Sequence, residues 1–258
     1  MKIAVLNFSG NVGKSTISRY LLQRHMQTEV FSVESINKSL FSDTEVTKLK
    51  AKQFSALQEA MLLNDSLIVD IGSSNIEELL VQMTSYSGSQ HDFDYFLIPT
   101  IPMDKQIVDT LNTIGTLMQE FDIEAKRIKV VFNQVKNADD IDFDFEKIIS
   151  LFQKMKLKNN TATLFFTDYY NKVDTLVNDI TYKNKFKSKL LDMDFMAESV
   201  DLFQTELTEV RNQYKAETDT AKKEKLHNSM KEIAQLIQLS RLAVTVRQNV
   251  DDAYQVLF

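Results

Sequence analysis

The stretch Asn7-Phe8-Ser9-Gly10-Asn11-Val12-Gly13-Lys14-Ser15-Thr16 constrains this chain more than any other. The apolar run Ile3-Ala4-Val5-Leu6 precedes it, and an amphipathic stretch from Ile17 to His25 follows. Strand, glycine-containing turn and helix, in that order, form the setting in which a phosphate-binding loop works. The N–H groups of such a turn and the positive end of the helix dipole face the same anion. Lys14 then reaches the β/γ phosphates and the Ser15 hydroxyl sits on Mg2+. The candidate nucleotide contacts are Gly10, Asn11, Val12, Gly13, Lys14, Ser15 and Thr16. The loop is irregular at its start, because G-x-x-x-x-G-K-[ST] asks for glycine where Phe8 stands.

Around this loop the chain alternates. Strand candidates fall at 2–7, 29–34, 66–71, 94–99, 128–133 and 161–166. Helical patterns lie at 14–26, 44–63, 75–86, 104–121 and 143–156. Runs such as Leu67-Ile68-Val69 and Ile128-Lys129-Val130-Val131-Phe132 suit strands covered on both faces, as in a parallel sheet. The expected fold class is therefore α/β, a doubly wound, mostly parallel sheet over residues 1–180. Ligands in such folds bind at the carboxyl ends of the strands. From about residue 182 no strand candidate remains. Phe195, Val200, Phe203, Leu207 and Val210, then Met230 onward to Leu257, recur at helical spacing. Residues 181–258 are expected to form a helical extension, two long helices paired antiparallel.

Composition removes several functions. With no cysteine among 258 residues, disulfides and thiolate metal sites are excluded, and His25, His91 and His227 lack metal-ligand spacing. The longest apolar runs fall far short of a membrane span, and the first residues lack the core of a secretory signal, so the expected address is cytoplasmic. A net charge of −6 gives no support to nonspecific nucleic-acid binding. The densest basic run, Lys183-Asn184-Lys185-Phe186-Lys187-Ser188-Lys189, is either a phosphate-contacting patch or a solvated helix face.

Other candidate site residues stand at the strand ends. Glu34 follows the second strand, where a carboxylate can position water or meet Mg2+ through water; it can equally be a surface or helix-start glutamate. Asp70 follows several apolar residues and is followed in turn by Gly72, the shape of a strand that aims a carboxylate at a metal shell. Asp alone at a strand end can simply cap a helix. Together with Gly13-Lys14-Ser15 it reads as a metal and catalytic residue. Asn133 can meet an adenine edge through its amide, and Gln134 and Lys136 do not supply the Asn-Lys-x-Asp expected of a guanine site. Phe165-Phe166-Thr167-Asp168 can wall the base, with Thr167 as a contact, or can pack in the core.

With these residues in place, the chain resembles the ParA/MinD group of P-loop ATPases, and within it the StbB-type plasmid stability proteins. That family's deviant Walker A loop, K-G-G-V-G-K-T-T, is matched by Ser9-Gly10-Asn11-Val12-Gly13-Lys14-Ser15-Thr16. Asp70-Ile71-Gly72 matches its Walker B stretch, and Asn133 its adenine position. The similarity covers about residues 1–180. It implies ATP or ADP with Mg2+ as ligands, and catalytic roles for Lys14, Asp70 and Glu34. It also implies a homodimer formed around nucleotide, and a DNA-binding adaptor protein as partner in plasmid partition, stability or conjugative maintenance. Two departures accompany it. The family's D-x-D-P-Q pattern is absent near Glu34, and Ser9 stands where the family keeps a lysine that reaches the partner's phosphates.

Three readings follow: a weak ATPase of plasmid maintenance, a nucleotide-gated scaffold with little turnover, or an unrelated P-loop enzyme. The last needs an acceptor-binding insert, and none of the loops is long enough for one. The tail either mediates self-association or packs on the sheet layer.

Overall fold

The structure is a computed structural model, and it describes residues 1–33, 46–50, 53–179, 182 and 184–258. Contacts divide the chain into two compact units, Met1–Phe166 with Val250–Phe258, and Thr167–Asn249. The division falls at Phe166 rather than near residue 180, and the last residues of the chain return to the first unit.

The first unit is built on seven strands: β1 (Lys2–Val5), β2 (Val30–Val33), β3 (Val46–Leu49), β4 (Leu67–Ile71), β5 (Tyr95–Thr100), β6 (Ile128–Val135) and β7 (Thr161–Phe165). They pair in the order β3-β2-β4-β1-β5-β6-β7. Every pairing is parallel. The apolar runs behave as covered strands do: all of β4 is buried, and in β6 only Gln134 is exposed. At the edge, β7 alternates buried and half-exposed residues instead. The order reverses at β1, which has β4 on one side and β5 on the other, so the loop after β1 opens into the crevice where such sheets bind ligands.

Helix α1 spans residues 14–26 as Lys14–Ile17, a π-helical stretch Ser18–Gln23, and Arg24–Met26. The expected helix over 44–63 is corrected in part. Val46–Leu49 pairs with Val30–Val33 as a strand, and only Phe54–Leu63 is helical (α2). β-branched Val46 and Thr47 favour the extended form, and an open sheet edge beside β2 supplies their hydrogen bonds. Helices α3 (Ile76–Ser85) and α4 (Asp104–Gln119) lie close to expectation. The pattern over 143–156 breaks into α5 (Ile141–Asp144) and α6 (Glu146–Lys154). Phe145, fully buried, sits at the break with its ring stacked on Phe132 at 4.1 Å.

In the second unit, α7 (Tyr169–Asn178), α8 (Met193–Glu198) and α9 (Val200–Ala216) precede α10 (Thr220–Leu257), whose final residues belong to the first unit. Tyr214 meets His227 at 6.1 Å near the turn, while Arg247 bonds Glu198 at 3.0 Å far from it. Earlier residues on one side thus meet later residues on the other, which is the antiparallel pairing expected. No helix among the described residues is long and apolar enough to cross a membrane.

Candidate phosphate-binding site

The loop between β1 and α1 is fixed from three directions. Asn7, fully buried, donates its amide to the Pro99 carbonyl and to Thr110 Oγ1, both at 2.8 Å, and its Oδ1 accepts the Ser9 N–H at 2.8 Å. The Phe8 N–H donates to Thr113 Oγ1 at 3.2 Å. On the far side Asn133 donates its amide to the Val12 carbonyl at 2.9 Å. A bulge brings Asn133 there: β6 loses register with β7 between Phe132 and Val135, and Gln134 takes φ 58°.

Asn11 and Gly13 both turn left-handed, at φ 57° and 91°. Gly13 is required at its position for a second reason. A Cβ there would lie 2.2 Å from Asn133 Nδ2, so a side chain would destroy the clamp on Val12. Gly13 is also the N-cap of α1, and no side chain caps that end. A glycine at the cap places no side chain of its own over the helix start, the end of a helix that attracts an anion. Lys14 is only 9% exposed, and its Nζ donates to the carbonyls of Ser9 at 2.7 Å and Asn7 at 3.2 Å. The ammonium is thus held across the loop, where it can also reach a phosphate. Ser15 is exposed on the first helical turn and Thr16 half-buried.

Asp70 is paired in register with Val5 of β1 and with Ser32 of β2, and is 5% exposed. The sheet itself carries this carboxylate to the strand next to the loop. Gly72 N–H continues the ladder to the Val33 carbonyl at 3.0 Å. Ser73 lies across from the loop, 3.6 Å from where a Gly10 Cβ would stand. The residues expected to hold nucleotide and Mg2+ thus fit those groups. A side-chain-free helix start, a glycine cradle and hard oxygen donors at Ser15 and Asp70 are the chemistry they need. Among the described residues no preformed cluster of three or more His, Cys, Asp or Glu stands ready for a metal.

Not every expected residue comes together. Glu34 lies outside the described residues. Thr167 belongs to the second unit, where its hydroxyl accepts the Tyr169 N–H at 3.1 Å. Ser9 is buried, and its hydroxyl has no hydrogen-bond partner among the described residues. Sequence reasoning missed Asn7, Thr110 and Thr113. The available signal was an asparagine opening the loop and two threonines three apart on a buried helix face.

No family model matches the chain, and no curated protein matches it. Among solved structures it is similar to a candidate plasmid partition protein from Borrelia burgdorferi bound to AMPPNP, at 13% identity and TM-score 0.45, over 73% of this chain and 94% of that one. It is similar to apo McdA from Cyanothece at 12% identity and TM-score 0.44, over 67% and 88%. The pnob8 ParA structure matches at 11% identity and TM-score 0.43, over 96% and 98%. Likeness at this level carries no functional weight by itself. The loop, its clamps and Asp70 carry the reading that follows.

Proposed function

We propose that this protein is a ParA/MinD-like ATP-binding protein with weak ATPase activity, acting in plasmid partition or stability. The observation that carries the reading is the loop itself: Gly13 left-handed at an uncapped helix start, with Lys14 Nζ held over the loop by two carbonyls. In this reading Gly10 to Thr16 bind the phosphates and Lys14 neutralises them. Ser15 and Asp70 hold Mg2+, which supplies charge neutralisation of the phosphates when bound. Asn133 ties the loop to the base side of the site, and its amide oxygen accepts the exocyclic amine of adenine. Glu34 and Thr167 remain part of the proposal on their places at strand ends in the sequence, and the partners on resemblance: a homodimer around nucleotide, and a DNA-binding adaptor.

Burial of Ser9 favours a second reading, a nucleotide-gated scaffold with negligible turnover. A short buried hydroxyl cannot deliver charge to another subunit's nucleotide, and one cationic hydrogen bond is worth about 1.5–3 kcal/mol. Calorimetric titration with ATP and ADP, beside a phosphate-release assay and solution mass in each nucleotide, tests both. ATP binding with turnover above a Lys14→Ala control supports the ATPase. Binding without turnover supports the scaffold, and no binding refutes both.

A further inference from the structure

We propose that Thr110 and Thr113 of α4 are positioning residues for the phosphate loop, acting through Asn7 and the Phe8 amide on Lys14. The inference rests on the nucleotide-binding reading and goes beyond the loop residues themselves. Neither threonine belongs to the loop, and both are essentially fully buried. Each hydroxyl donates to the carbonyl four residues back on its own helix, Thr110 to Gln106 and Thr113 to Asp109, both at 2.7 Å. That bond consumes the one donor and fixes the rotamer, leaving oxygen lone pairs directed as acceptors.

The acceptors are used on the loop. Thr110 Oγ1 takes the Asn7 amide, and Thr113 Oγ1 takes the Phe8 N–H. Asn7 is thereby left with no spare amide donor, since its other bond goes to the Pro99 carbonyl. Pro99 is held in β5 by pairing with Val131 of β6, so the loop's first residue is tied to both a strand and a helix. The same Asn7 then closes a tight turn on Ser9, and the carbonyls of Asn7 and Ser9 are the two that hold Lys14 Nζ. A continuous chain of hydrogen bonds therefore runs from α4 to the ammonium that grips phosphate. Loss of either threonine oxygen leaves a buried donor at the loop unsatisfied and lets Asn7 turn away.

The test is ATP binding by calorimetry on the full chain, with thermal unfolding of the ligand-free protein in parallel. Thr110→Val and Thr113→Val keep the shape and remove the oxygen; Thr110→Ser keeps the oxygen. Each valine variant should raise the Kd for ATP about tenfold, the effect of one lost hydrogen bond to a preorganised loop. Thr110→Ser should stay within about twofold of the parent, since the bonding oxygen is retained. A purely structural role predicts a lower melting temperature with unchanged Kd, and that result overturns the proposal. So does a Thr110→Ser affinity as weak as that of Thr110→Val. Parent protein that binds no ATP refutes the nucleotide reading and this proposal with it, whereas normal parent binding with unchanged valine variants refutes this proposal alone.

Discussion

The two units of this chain reach order by different means. In the first, residues far apart in sequence are locked together by the sheet. Val5, Asp70 and Ser32 share one register level, and Asn7, Thr110 and Asn133 meet around one loop. In the second, α9 runs for 17 residues and buries only Phe203. That ring is fully buried and meets Phe186 at 5.0 Å and Phe195 at 6.3 Å. Lysines of the basic run serve the same knot. Lys185 pairs with Glu206 at 2.9 Å and lies over the Phe186 ring, Lys187 donates to the Asp179 carbonyl, and Lys189 lies over Phe195. The sheet unit draws its core from strands distant in sequence, whereas α9 contributes a single ring, Phe203, to a helical unit whose buried residues also include Leu190, Met196, Leu236 and Leu239.

The largest expected effect follows from α9's reliance on that one buried ring. Phe203→Ala removes a fully buried ring at a cost of about 3–5 kcal/mol. Hydrogen exchange should then accelerate across residues 193–249 while the strands of the first unit stay protected. ATP affinity should remain within about twofold, because none of the site's bonds involves this knot. Loss of ATP binding in this variant would show that the two units are not energetically separate.

The converse substitution sharpens the comparison from the other side. In the nucleotide-binding reading Lys14→Ala deletes a charged donor to phosphate, worth about 3 kcal/mol, and should weaken ATP binding by about two orders of magnitude. Exchange in the helical unit should not change. Close behind comes a pair of glycines near in sequence but unlike in surroundings. Gly13→Ala forces a left-handed alanine into Asn133 and should lower the melting temperature by about 4–8 °C, on roughly 2 kcal/mol of strain. Gly10→Ala meets only Ser73 Oγ at ordinary contact distance and should leave the midpoint within about 2 °C. Equal melting points for the two would show that the Asn133 clamp does not constrain the loop.

The same contrast explains what could be read from sequence. The parallel sheet was legible because strands covered on both faces read as apolar runs, as Leu67-Ile68-Val69 does before Asp70. The phosphate loop was legible because Gly13, Lys14 and Ser15 are consecutive and their spacing is the chemistry. The roles of Thr110, Thr113 and Asn7 were not, since about a hundred residues separate the loop from the helix and nothing local to either says that they meet. The strand Val46–Leu49 was missed for a related reason. Four residues set no period of their own, and the flanking helical spacing absorbed them. The single buried ring of α9 could not be told from its neighbours, because Val200, Leu207 and Val210 share its helical spacing and yet stay partly exposed.

The smallest predicted loss lies at the end of α10, among the residues that belong to the first unit. Asp251 bonds Arg24 at 2.5 Å and His25 at 2.9 Å, and the His25 ring stacks on Tyr254 at 4.2 Å. Burial alone raises the Asp251 pKa, but hydrogen bonds and charge from Arg24, then His25, outweigh it and hold the carboxyl below its ordinary 3.8. A carboxylate with a depressed folded-state pKa adds stability that is fully present above the unfolded value. That stability is lost as the pH falls through the folded value. The side chain is 31% exposed, so solvent screening limits the pair to about 1 kcal/mol at most. Asp251→Asn should therefore lower the melting temperature by about 2–4 °C at neutral pH. The gap between variant and parent should close as the pH drops below 3.8. A gap that stays constant through that range would assign the loss to packing against Tyr254 rather than to charge.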